Sequence, residues 1–338
     1  MATSASILGC EGLTLSASEK AFFAEARPWG FILFARNIKN AAQVLALTEE
    51  LRASVGWNAP ILIDQEGGRV QRLRGPIWRE WSPPLDAIKA ANDPSRVMYL
   101  RSYLIGHELR EVGIDVQCGP TCDVARDTTH PFLKNRLYGY DADSVTRYAE
   151  AVVSGLADSG VACVVKHIPG HGLGTVDSHH DLPRVTADRA TLDAIDFKVF
   201  NGMASQSMGM TAHVVFEAID PDLPATLSPT MIDLIRSDIG FNGLLMTDDL
   251  SMNALPGTIG ERAAAARAAG CDVILHCNGD RAEMEEVLAN CGVLDGPAKE
   301  RADIADARRP SQQHLDINAV EQELSDLLGG KVYVNDRD

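Results

Sequence analysis

Eight short apolar runs, most ending in a polar or glycine-bearing cluster, recur along the chain with enough residues between them for a helix. They are Ile7 to Cys10, Phe31 to Phe34, Ile61 to Asp64, Val116 to Pro120, Val161 to His167, Met208 to His213, Leu244 to Asp248 and Val273 to His276. A parallel strand is buried on both faces, so its signature is a continuous apolar run rather than an alternation. Eight such runs separated by helical segments predict an α/β fold, a closed (β/α)8 TIM-type barrel. A chain of 338 residues suits one domain of that kind.

The intervening segments agree. Ala41 to Val55 places Val44, Leu45, Leu47, Leu51 and Val55 at near-helical spacing, with Glu49, Glu50 and Arg52 opposite. Ser228 and Pro229 before Met231, Ile232, Leu234 and Ile235 read as an N-cap and a first helical residue, with Gly240 as terminator. Further helices are expected after Asp93-Pro94 through Val112, and over Asp143 to Leu156, Thr186 to Phe200 and Gly260 to Ala269. Gly296 to Gln313 is charged and poor in apolar residues, which predicts a solvated linker. Leu315, Ile317, Val320, Leu324, Leu327 and Leu328 then predict a last helix packed back on the barrel.

Net charge is −16 with no basic block, so a nucleic-acid backbone or an anionic membrane surface would be repelled. No apolar stretch approaches the ~18 residues of a membrane span, and Met1 to Gly9 has no basic residue before an apolar run. A cytoplasmic protein is expected, with no obligate protein partner evident. The seven Cys residues lack Cys-x-x-Cys spacing and read as reduced core thiols.

The fifth run stops at Lys166 and His167, and Pro169, Gly170, Gly172 and Gly174 then forbid a regular helix, so His171, Asp177, His179 and His180 are carried on a connection. His167 and His171 stand four apart, the spacing of a zinc-binding helix. Pro169 and Gly170 break that helix and the Glu of His-Glu-x-x-His is missing, so no metal is expected. The ligand site of an α/β barrel lies at the C-terminal ends of its strands. There the third run is followed by Asp64-Gln65-Glu66-Gly67-Gly68-Arg69-Val70-Gln71-Arg72, the fourth by Asp123, Arg126, Asp127 and Asn135-Arg136, and the seventh by Thr247-Asp248-Asp249-Leu250. Carboxylates suit sugar hydroxyls, and guanidinium groups suit anions or carbonyls.

Taken together, these stretches with Lys166-His167-x-Pro-Gly-His171-Gly172, Asp177-Ser178-His179, Phe31 to Asn37 and Thr211-Ala212-His213-Val214 resemble glycoside hydrolase family 3 from about Leu8 to Leu288. Within it they look like the bacterial β-N-acetylglucosaminidases of peptidoglycan recycling. The resemblance implies a barrel with Asp248 as nucleophile and His179 as acid/base, oriented by Asp177. It also implies that Asp64, Arg72, Arg136, Lys166, His167 and His213 bind N-acetylglucosamine from a saccharide or muropeptide, with no cofactor. His180-Asp181 departs from the family, which usually carries a hydrophobic and then a small or variable residue there. An Asp177 carboxylate can accept from His179 Nδ1–H and leave Nε2 for the glycosidic oxygen. The implied reaction proceeds through a glycosyl ester with retained stereochemistry. A family 3 β-glucosidase or β-xylosidase, or an N-acetylglucosaminide phosphorylase, remains the alternative.

Overall fold

The computed structural model describes residues 2–174, 182–330 and 332–333. Eight parallel strands form its centre: β1 (Ser4–Leu8), β2 (Pro28–Leu33), β3 (Ile61–Ile63), β4 (Val116–Gln117), β5 in two pieces (Ala162–Cys163 and Val165–Ile168), β6 (Met208–Thr211), β7 (Leu244–Met246) and β8 (Ile274–His276). Hydrogen-bonded order runs β8, β1, β2, β3, β4 and the first piece of β5; the second piece continues through β6 to β7. A parallel bridge between Met246 and Val273 returns β7 to the start of β8 and closes the ring. The expected barrel is present. Each expected run holds its strand, though β1 begins at Ser4 rather than Ile7. Ser4 and Ser6 are buried there because their hydroxyls bond each other at 2.8 Å, so two polar residues fit in a dry strand.

Alternate strand residues divide between two cores, as a pleated barrel requires. Ile7, Ile32, Leu62, Val116, Val164, Met210 and Leu275 fill the interior. Phe31, Leu33, Ile61, Ile63, Val165, Leu245 and Ile274 face the outer helices. All seven cysteines are free and buried. Asp93 caps helix Pro94–Glu111 and Ser228 caps helix Pro229–Ser237, each accepting from the backbone three residues on. The second of these stops at Ser237, ahead of Gly240, whose φ of 79° places it in the following turn. The helix expected over Thr186 to Phe200 is two, Arg189–Ala194 and Asp196–Gly202, broken at Ile195, after which Asp196 turns inward to Arg126.

The solvated linker expected at Gly296 to Gln313 is a correction. Gly296–Ala307 is a helix whose Ala298, Ala302 and Ala305 join the barrel-interior core. The charges here are anchors: Arg301 on the helix makes a two-pronged bond to Asp272 (2.9 and 2.7 Å), and Arg309, just past its end, bonds Asp115 at 2.7 Å. Asp115 and Asp272 lie just before β4 and β8, so this helix seals the N-terminal mouth and leaves the opposite mouth for a site. The last helix, Ile317–Leu327, buries Val320 and Leu324 as expected. No helix among the described residues is long and apolar enough to cross a membrane.

Candidate active site

The C-terminal mouth contains a cavity of about 330 Å³, at the small end of the ~300–1,000 Å³ usual for ligand pockets. Ile32, Met210 and Leu275 form its floor, Phe34, Val70, Leu133 and Met252 its apolar walls. Asp64 reaches it from the residue after β3, Lys166 and His167 from β5, Asp248 from two residues after β7, and Arg136 from the long connection after β4. Pairing between β5 and β6 shifts register between Val165 and Ile168, and the regular alternation is interrupted there. Consecutive Lys166 and His167 therefore both line the cavity.

The loop after β3 is shaped from within. Gln65 Oε1 accepts from the backbone of Arg72 (2.8 Å) and Leu73 (3.0 Å), while its Nε2 donates to the Leu73 carbonyl at 2.9 Å. Gly67, at φ 102°, admits Arg101, whose Nη2 would stand 1.9 Å from a Cβ there. That fold turns Glu66 inward. Buried Lys166 donates to Asp64 at 2.7 Å and contacts Glu66 at 2.8 Å. Arg136 grips Glu66 with two bonds of 2.8 Å. Arg72 donates to Asp64 at 3.1 Å and lies 4.8 Å from the centre of the Phe34 ring. Burial, the largest influence on each, would neutralise these groups. Lys166, Arg72 and Arg136 outweigh it at Asp64, holding that carboxyl well below its ordinary value. Arg136 and Lys166 outweigh it at Glu66, which falls to about 2. Asp64 and Glu66 in turn hold Lys166 above the usual ammonium range. All three stay charged, presenting fixed donors and acceptors to a neutral polar ligand.

A second network stands beside the first. His167 Nδ1 donates to Asp123 Oδ2 at 2.8 Å, which fixes the ring and leaves Nε2 as the nitrogen available to a ligand. Asp123 Oδ1 accepts the His171 backbone N–H at 2.6 Å. Burial opposes ionisation of Asp123, but His167 and His171 prevail and its carboxyl is lowered. Asp248 is likewise lowered: burial acts against it and is outweighed by His213, His167, the Asp249 amide at 2.8 Å and Lys166. Its neighbour Asp249 is tied to the Ser251 hydroxyl (2.6 Å) and the Cys277 amide (3.1 Å). Both line the cavity, but among the described residues the Asp248 carboxylate has a single hydrogen bond, from the Asp249 amide, and is the freer of the two.

Asp64, Arg72, Arg136, Lys166, His167 and Asp248 thus meet at one cavity, whereas His213 does not line it. That expectation is corrected. His213 is fully buried, its Nε2 donating to the Asp249 carbonyl at 3.1 Å and its Nδ1 paired with the Thr226 hydroxyl at 2.7 Å. It supports the Asp248–Asp249 turn from below, and burial lowers its own pKa. Asp177 and His179 lie outside the described residues. Glu66 and Asp123 were visible only as members of polar clusters; their partners lie 70 and 44 residues away, and no local pattern records such pairing.

Residues 12–307 match the Glycosyl hydrolase family 3 N terminal domain. This chain belongs to glycosyl hydrolase family 3. It is similar to a Beta-hexosaminidase of Alkalilimnicola ehrlichii, 37% identical over 280 residues covering 80% of each chain. It is also similar to a Beta-hexosaminidase of Idiomarina loihiensis, 34% identical over 92% of this chain and 93% of that one. Its fold superposes on NagZ from Neisseria gonorrhoeae, a structure in complex with N-trifluoroacetyl-D-glucosamine, with TM-score 0.86 and 28% identity, covering 97% of this chain and 98% of the other. The family 3 chain is a glycoside hydrolase of the β-hexosaminidase type.

Proposed function

We propose that this chain is a retaining exo-β-N-acetylglucosaminidase of the cytoplasm, acting as a single barrel domain without a cofactor. Its substrates are peptidoglycan fragments, N-acetylglucosaminyl-1,6-anhydro-N-acetylmuramic acid with or without peptide. The observation that carries the reading is the unequal state of the cavity carboxylates. Asp248 is ionised and open to the cavity, whereas Asp64 is engaged by Lys166 and Arg72, and Asp249 by Ser251 and Cys277. Among the described residues Asp64 and Asp248 are held below the ordinary carboxylate range and Asp249 is tied up by its hydrogen bonds, so none of the three is poised as a general acid. That supports assigning proton transfer to His179, with Asp177 orienting it.

In this mechanism Asp64, Arg72, Arg136, Lys166 and His167 hold N-acetylglucosamine with its anomeric carbon over Asp248. The Asp248 carboxylate attacks that carbon as the glycosidic bond breaks, and His179 gives its proton to the departing oxygen. Neutral His179 then takes a proton from water, which attacks the glycosyl ester and releases Asp248. Two inversions leave the sugar in its original β configuration. The sealed floor and small volume favour one sugar ring, hence release from the chain end.

Proton NMR of early time points with the anhydro-disaccharide tests this: β-N-acetylglucosamine should form first. An α anomer would sink retention, and faster turnover of chitobiose than of the anhydro-disaccharide would move the natural substrate to chitin fragments.

A further inference from the structure

Among the described residues, the side chain of His171 in the cavity wall has no hydrogen-bond partner. His171 is 2% exposed and lines the cavity with Lys166, His167 and Asp248. Neither its Nδ1 nor its Nε2 has a hydrogen-bond partner among the described residues. His167, by contrast, has its Nδ1 held by Asp123.

The backbone that carries the ring is fixed in place. The His171 N–H is held by Asp123 at 2.6 Å, and its carbonyl accepts from the Gly174 N–H at 2.9 Å. Gly172 is pressed under the Val124 carbonyl, where a Cβ would come within 1.9 Å, and its own carbonyl accepts from Thr129 Oγ1 at 2.6 Å. On one side the ring meets the His167 ring edge to face, centroids 5.8 Å apart. A buried imidazole with both nitrogens empty lowers the stability of the free protein, and a bound ligand that offers a partner recovers it. Burial, aided by His167, pushes its pKa down to about 4, so the ring is neutral at physiological pH. A neutral imidazole offers one donor and one acceptor. It gains little from an anion and matches a hydroxyl, which can play either part.

We propose that His171 is a substrate-binding residue whose ring hydrogen-bonds a hydroxyl of the bound N-acetylglucosamine. The inference rests on the N-acetylglucosaminidase reading above and adds a residue to it. Because the partner is a hydroxyl already present in the free sugar, the contact is made in the ground state and acts on binding more than on turnover.

His171→Phe keeps the ring volume and removes both nitrogens; His171→Gln keeps one donor and one acceptor. The wild type should first be shown to cleave p-nitrophenyl N-acetylglucosaminide; failure there would overturn the function reading before any variant is made. With His171→Phe, the inhibition constant of N-acetylglucosamine and the KM should each weaken by roughly ten- to a hundred-fold. The kcat should change less, and the unliganded protein should melt at the same temperature or higher, because an unpaired polar group has gone. His171→Gln should fall between, and it carries the test alone if His171→Phe does not fold. Inhibition by 3-, 4- and 6-deoxy N-acetylglucosamine identifies the hydroxyl: one deoxy sugar should bind the wild type more weakly than its parent yet bind the variant equally well. Inhibition within two-fold of wild type would overturn the proposal. So would a lower melting temperature in both variants, which would show the ring already paired in the free protein.

Discussion

Lys166 is the residue on which the cavity's electrostatics turn. It is buried between two carboxylates, 2.7 Å from Asp64 and 2.8 Å from Glu66, and is the one cation among the described residues that bridges both. Arg136 covers Glu66 from the other side and Arg72 covers Asp64. Removing one partner of a buried ion network strands the others, so Lys166→Met should cost about 3–5 kcal/mol in urea unfolding as well as most sugar binding. A loss below about 1 kcal/mol would show that water reaches the pair. The two catalytic assignments separate at this scale too. Asp248→Ala removes the attacking group and should abolish turnover whatever the leaving group. His179→Ala removes proton transfer, typically worth ~10²–10⁴ in rate, and a nitrophenolate departs with little protonation. In that variant a burst should appear, an N-acetylglucosaminyl ester should accumulate on Asp248, and azide should restore turnover. Equal loss on activated and natural substrates with no azide effect would make His171 or His180 the acid/base candidate.

Two elements do work that their composition hides. The turn His171 to Gly174 threads beneath the Val124 carbonyl, and only a residue without a side chain fits at Gly172. Gly172→Ala should displace the His171 ring and the chain leading to Asp177 and His179, lowering kcat/KM by ~10²-fold, the scale of a 1 Å misplacement. Circular dichroism should remain that of the wild type; full activity would mean that the turn has room to shift. Helix Gly296–Ala307 seals the opposite mouth with three alanines, pinned by Arg301 on Asp272. Ala302→Leu overfills that contact and should cost about 1–3 kcal/mol in chemical denaturation, with KM and kcat unchanged because the cavity lies at the other end.

For the whole molecule, the buried groups predict how stability responds to acid. His171 has a folded pKa near 4, below its ordinary value, so the unfolded chain protonates first and stability is lost as pH falls from about 6.5 to about 4. Asp196 is the reverse case: burial, against Arg126, raises it to about 6, so its penalty is relieved as pH falls from about 6 to its ordinary 3.8. These windows overlap and oppose. Glu66 at about 2, with Asp64 and Asp123 lowered, then loses its stabilisation below about 4.5. The melting temperature should therefore stay nearly level from pH 6.5 to 4.5 and drop steeply below. Asp196→Asn should expose a decline across the level region, and His171→Phe a rise. A wild-type decline beginning at pH 6.5 would show that Asp196 is not raised.

The barrel and the seats of its chemistry were legible in the chain alone. A parallel strand buried on both faces must be a short apolar run, and the fold puts ligands at strand ends, so eight runs located Asp64, Lys166, His167 and Asp248 before any contact was known. Side-chain partnership across the barrel was not legible. Whether Glu66 meets Arg136, Asp123 takes His167, or His213 lies under the site rather than in it depends on residues far apart in sequence sharing one dry space, where an unpaired charge is costly and a paired one is held. The helix Gly296–Ala307 escaped for the same reason. Its buried face is alanine, too weakly apolar to mark itself, and its charges look solvated until Asp272 and Asp115 are found waiting at the foot of the barrel.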